Sequence, residues 1–143
     1  MIRNRSYLLI SAVAIVVGLV ACAEPKATDM VGTWNLTKDS RRYLPADMAG
    51  LSPRLVLSAD GRLSATDVPG TFHGSLDVID RYSGRGSWSV IRKDGRQQLQ
   101  LNFDGAYGTQ FDIANAGGGW KLYDFLGDPD EHRRLEYVKA GGS

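Results

Sequence analysis

Apolar positions in this chain follow two rules. From Tyr7 to Val20 they form one run interrupted only by Ser11 and Gly18, and from Val31 onward they alternate with polar residues, interrupted at short intervals by turn residues. A period of two sends successive side chains to opposite faces of a strand, so the second region reads as a series of half-buried strands. The clearest is Gln98-Leu99-Gln100-Leu101-Asn102-Phe103, with apolar side chains on one face and amides on the other. Extending the pattern gives eight strands: 33–37, 54–59, 62–66, 87–91, 97–103, 109–114, 120–126 and 134–139. Asp60-Gly61 predicts a two-residue hairpin turn because such a turn needs positive φ angles. Lys93-Asp94-Gly95, Gly117-Gly118-Gly119 and Gly127-Asp128-Pro129-Asp130 mark three further turns.

Short antiparallel strands in sequence order bury their edges best by closing. The expected fold is therefore all-β, an eight-stranded antiparallel up-and-down meander barrel, whose interior either is filled by side chains or holds one small ligand. The alternation turns Trp34, Leu36, Leu55, Leu57, Leu63, Ala65, Trp88, Val90, Leu99, Leu101, Phe103, Phe111, Ile113, Leu122, Leu135 and Tyr137 inward. Most are bulky, which favours a packed core. Two longer connections interrupt the meander. Residues 44–51 predict a turn or two of helix bringing Leu44, Met48 and Leu51 together, and residues 67–84 predict a loop carrying Phe72, Leu76, Val78, Ile79 and Tyr82. A loop of that length is uncommon without a task or disorder. Its apolar residues either cap the open end of the barrel or form a lid or partner surface.

The first apolar run has a different meaning. Arg3 and Arg5 precede it and a small residue, Ala21, follows it, the three-part form of a secretory signal. Its last residues, Leu19-Val20-Ala21-Cys22, resemble the lipobox of bacterial lipoproteins, in which the cysteine thiol accepts a diacylglyceryl group and cleavage falls just before it. Cys22 is the single cysteine, so no disulfide competes for it. The division expected is a signal peptide at 1–21, a lipidated tether at 22–30 and a β-barrel domain at 31–140. Residues 6–23 carry no charge and are about long enough for an uncleaved membrane helix, which stays as the alternative.

Val31-Gly32-Thr33-Trp34-Asn35-Leu36 resembles the Gly-x-Trp start of the first strand in lipocalins and related calycin barrels. In that family the tryptophan closes one end of the barrel beneath an arginine from near the C-terminus. The resemblance implies Arg133 or Arg134 for that role here, although alternation turns Arg134 away from Leu135 and Tyr137. Gly32-Thr33-Trp34, the Ala59-Asp60-Gly61 turn, Gly86-Ser87-Trp88 and Phe125-Leu126-Gly127-Asp128-Pro129-Asp130 with Arg134 and Tyr137 together resemble small bacterial lipoproteins. This resemblance covers nearly all of the chain after Cys22. It implies the same barrel and an envelope location, and it implies no activity.

Charge and candidate chemistry narrow the function classes. Without Arg3 and Arg5 the remaining chain has 15 basic against 16 acidic residues, which offers no field for nucleic acid. Arg81, Arg85, Arg92, Lys93 and Arg96 form the one basic concentration, read as a solvated hairpin edge or as a face for anionic headgroups. Nucleophilic catalysis needs a base, and the two histidines, His73 and His132, have no accompanying nucleophile motif. Asp128, Asp130, Glu131 and His132 are the densest set of metal-ligand types, yet too few and too close in sequence for calcium or zinc alone. Gly84 and Gly86 do not open a helix after a strand, so no dinucleotide site is expected, and neither cofactor nor metal is assigned.

The expectation is a non-enzymatic binding module, anchored to the exported face of a bacterial membrane through lipid on Cys22. It would recognise a small apolar ligand or an envelope component. The alternative is a protein-interaction or inhibitor-type lipoprotein acting through its loops, with Phe72, Ile79 and Tyr82 as the candidate contact residues.

Overall fold

The structure, a computed structural model, describes residues 23–70, 79–106, 108–127 and 129–141. The expected signal peptide at 1–21 and Cys22 lie outside these residues, as do Phe72, His73, Leu76, Val78 and Asp128.

Eight antiparallel strands close into a barrel in sequence order: β1 (Gly32–Leu36), β2 (Arg54–Leu57), β3 (Arg62–Gly70), β4 (Asp80–Lys93), β5 (Arg96–Phe103), β6 (Thr109–Asn115), β7 (Trp120–Phe125) and β8 (Arg134–Lys139). The seam is β1 against β8, with Trp34 opposite Lys139 and Leu36 opposite Tyr137. Every residue expected to point inward lies in the core or packs against it, Val90 and Ile113 at its margin. The reason is the pleat: wherever the alternation runs unbroken, sequence parity is structural parity.

Two turns carry Asp-Gly and differ. At β4–β5, Lys93 pairs with Arg96 and both Asp94 (φ 50°) and Gly95 (φ 77°) are left-handed, the two-residue type I′ geometry. At β2–β3 the expected two-residue turn is a three-residue one. Ser58 N–H donates to Arg62 O at 2.9 Å and Gly61 N–H to Ser58 O at 3.1 Å, with only Gly61 left-handed of the pair Asp60-Gly61.

Of the loop expected at 67–84, the described residues are strand at 67–70 and 80–84, and 71–78 lie outside the described residues. Val68, Pro69 and Gly70 pair with Tyr82, Arg81 and Asp80, so β3 and β4 run on well past their predicted ends. A bulge between Ala65 and Val68, with Asp67 at φ 49°, resets the phase. An extra residue there shifts the alternation by one, which places Val68 in the core with no exposed surface. Gly86 lets β4 approach β5 closely: a Cβ there would stand 2.0 Å from the Asn102 carbonyl oxygen.

The two barrel ends differ in kind. At one, the helical turn α1 (Ala27–Met30) lies across the opening, and the Trp34 indole N–H donates to Met30 O at 2.8 Å. Met30 is fully buried, so packing begins before Val31, within the segment expected to be a tether. At the other, the β1–β2 connection makes two 3₁₀ turns, Asp39–Tyr43 and Ala46–Met48, and buries Leu44 and Met48. Leu51, expected beside them, packs half-buried against the same cluster.

Candidate functional site

Among the described residues the barrel interior is filled. Ten core side chains, among them Trp34, Leu55, Val68, Leu99, Leu101, Phe111, Leu122 and Leu135, keep essentially no surface that water could touch from outside or from an internal void. Eight strands leave a bore only about as wide as the side chains that line it, and here the bulky residues occupy it. Phe111 and Tyr137 stack inside with ring centroids 5.4 Å apart.

One polar residue shares that interior. Asp124 lies opposite Leu135 on β8, on the same face of β7 as Leu122, and is 6% exposed. Its Oδ2 and the Tyr137 hydroxyl are buried and have no hydrogen-bond partner among the described residues. Burial disfavours the charged form and, with the nearby Asp112 charge, pushes the Asp124 carboxyl up to about 7. The Tyr137 hydroxyl is raised well above its ordinary value, chiefly by burial and then by Asp124.

The outer wall beside the β1–β8 seam carries the most polar construction. The 3₁₀ turn Asp39–Tyr43 is pinned to β8: Thr37 N–H donates to Glu136 O at 2.8 Å, and Glu136 N–H to the buried Ser40 Oγ at 2.8 Å. Thr37 Oγ1 lies 2.9 Å from the same Ser40 Oγ. The turn and strand border a cleft of about 450 Å³ lined by Lys38, Asp39, Arg42, Tyr43, His132, Arg134 and Glu136, with Thr37 and Ser40 at its base. The Arg42 guanidinium lies 4.8 Å above the Tyr43 ring and donates to its hydroxyl at 2.9 Å. Arg134 lies 4.2 Å over Tyr123. Glu136 is held by Lys121 at 2.7 Å, a bond that raises the Lys121 ammonium.

The residues expected to carry function are dispersed. Tyr82 is on β4, not in a loop; its ring packs on Phe103 at 4.3 Å between centroids, and its hydroxyl lies 2.9 Å from both Arg85 O and Asp104 O, which share its one proton. Ile79 is half-buried against the core, while Phe72 and Cys22 lie outside the described residues. The basic concentration does not form one patch. Arg81 and Lys93 stand at opposite ends of β4, roughly 40 Å apart along an extended strand, and Arg92 is ion-paired with Glu24. His132 is exposed at φ 54°, Glu131 pairs with Arg133, and no group of metal-ligating side chains is assembled among the described residues.

The cation at Trp34 is a correction. Neither Arg133 nor Arg134 covers it: Arg133 bonds Glu131, and Arg134 sits outside on Tyr123. The role falls to Lys139, whose ammonium is 5.8 Å from the Trp34 ring and donates to Asp29 O at 2.9 Å. The stem of Lys139 crosses Gly32, where a Cβ would stand 2.6 Å from Cε, so the glycine of Gly-x-Trp makes room for that cation. Parity could have found it, because Leu135, Tyr137 and Lys139 share one face. Asp124 was equally legible, on the Leu122 face, but its charge type argued against an inward position.

The fold and the Trp34 end together define a closed, filled, eight-stranded antiparallel barrel, consistent with a lipocalin-like fold. No family model, no curated protein and no solved structure matches the chain.

Proposed function

We propose that this chain is a lipid-anchored, non-enzymatic recognition module of the bacterial envelope, tethered through Cys22 and reading an envelope component with its outer surface. The filled interior carries the second half of this reading. A carrier of apolar ligands needs a connected cavity, and ten core side chains among the described residues keep no surface that water could touch. Recognition then belongs to the outside, where loops and wall clefts on a rigid barrel provide it. The anchor reading rests on the sequence at Leu19-Val20-Ala21-Cys22. A protein target, as for an inhibitor-type lipoprotein, is the second reading, and the same filled interior favours it over a small apolar ligand.

Metabolic labelling with an alkyne fatty acid in a bacterial host tests the anchor. The wild-type chain takes up label and is processed, and Cys22→Ala does neither; equal labelling of both would overturn it. Native mass spectrometry of the chain purified from its host tests the filled barrel. The expected spectrum shows no bound lipid beyond the covalent one, and a one-to-one complex with a small apolar molecule would return recognition to the interior.

A further inference from the structure

We infer that the cleft beside the β1–β8 seam binds a small anion bearing phosphate or carboxylate groups. Three cationic side chains, Lys38, Arg42 and Arg134, line one depression, and none makes an ion pair among the described residues. Of the two carboxylates that share the lining, Glu136 is already neutralised by Lys121 at 2.7 Å, which leaves Asp39 alone against the three. The pattern differs from nearby surface, where Glu131 balances Arg133 at 2.6 Å. Three like charges facing one free carboxylate carry an excess of positive charge, and an anion seated among them relieves their repulsion.

The two guanidinium groups are also held in place. Arg42 lies over Tyr43 and Arg134 over Tyr123, at 4.8 and 4.2 Å. A ring beside each guanidinium restrains it, Arg42 further by its bond to the Tyr43 hydroxyl, and the N–H groups outside that bond suit the paired oxygens of a phosphate or carboxylate. The base is rigid because Ser40, 4% exposed, bonds the turn to β8 through Glu136 N–H. About 450 Å³ is within the range of small-molecule sites. This inference deepens the reading of an outward-facing recognition module and does not depend on the lipid anchor.

The test is calorimetric titration of inorganic pyrophosphate into the full chain in mild detergent at low salt. Saturable one-to-one binding is expected. The double variant Arg42→Gln, Arg134→Gln should weaken it roughly ten-fold or more, from the loss of two charge-assisted contacts. Arg62→Gln, on β3 and outside the cleft lining, should bind as wild type. Because Arg134 also packs on Tyr123, Arg134→Lys serves as a second variant: it keeps the charge, loses the fork, and should fall between. A competition arm separates two sources of the same chemistry: phosphatidylglycerol in mixed micelles of the same detergent displaces pyrophosphate if the anion is a lipid headgroup, and leaves it bound if the anion is a soluble molecule. No saturable binding by the wild-type chain, or full binding by a folded double variant, would overturn the proposal. Failure of Cys22 to take up lipid with pyrophosphate binding intact would refute the anchor alone.

Discussion

At Trp34 the two ends of the barrel sequence meet: the indole N–H bonds Met30 O, Lys139 stands over the ring, and Gly32 makes way for the lysine stem. A fully buried tryptophan with its polar atom satisfied has little to replace it. Trp34→Ala should therefore destabilise the protein by roughly 3–5 kcal/mol, read as a lower denaturation midpoint. An unchanged midpoint would mean that the ring packs elsewhere. Asp124 supplies the opposite kind of residue, one that works against the fold. Below the ordinary aspartate range the carboxyl is neutral in both folded and unfolded chains and costs nothing as a charge. As pH rises from about 4 toward 7 the unfolded chain releases this proton while the folded barrel holds it, so stability declines across that window. Above about 7 the folded carboxyl ionises too, and the decline levels off. Urea denaturation at about pH 5 and pH 7 should show wild type losing on the order of 2–3 kcal/mol through this group. Asp124→Asn should lack that component of the loss. If the two profiles fall in parallel, Asp124 does not titrate inside the barrel.

Among the elements, β3 and β4 show most clearly what alternation can and cannot disclose. Gly86→Ala puts a methyl group against the Asn102 carbonyl at 2.0 Å. Backbone must move, so the variant should lose about 1–3 kcal/mol, the usual range for overpacking, seen as an earlier thermal transition. A neutral variant would show that β4 and β5 can separate freely there. Six of the eight strands were legible nearly end to end because their parity never breaks. The outer halves of β3 and β4 were not, for three physical reasons. Pro69 and Gly70 argue against strand on propensity, the bulge at Asp67 shifts the face on which Val68 appears, and Gly84 leaves no side chain to show an alternation. The helical turn before β1 escaped for another reason: Met30 is the one large apolar side chain in residues 23–30, and one buried methionine is too little signal to separate a cap from a tether. The cationic cleft was still less visible. Lys38 and Arg42 are nearly a hundred positions from Arg134 in sequence, and only closure of the barrel brings them together. A triple change at Phe72, Ile79 and Tyr82 to serine probes the extended end. Since Tyr82 covers Phe103 and Ile79 abuts the core, the expected outcome is a markedly lower melting temperature. A variant that melts as wild type would assign these residues to the outer surface.

For the whole molecule, the seam between β1 and β8 joins the first strand to the last, and its most distant bond, Lys139 to Asp29, spans 110 positions. A barrel closed in this way cannot be completed in instalments. Until residues 134–139 arrive, β1 has one bare side, β7 has another, and the Trp34 end has no cation above it. Pairings so remote in sequence make folding slow relative to helical proteins of equal stability. The chain therefore stays open, with exposed strand edges liable to stick to one another, for as long as its C-terminal segment is withheld. A copy that ends before Arg134 would leave β1 and β7 each with an unpaired edge, so the last six strand residues decide whether the chain closes on itself or seeks strands elsewhere.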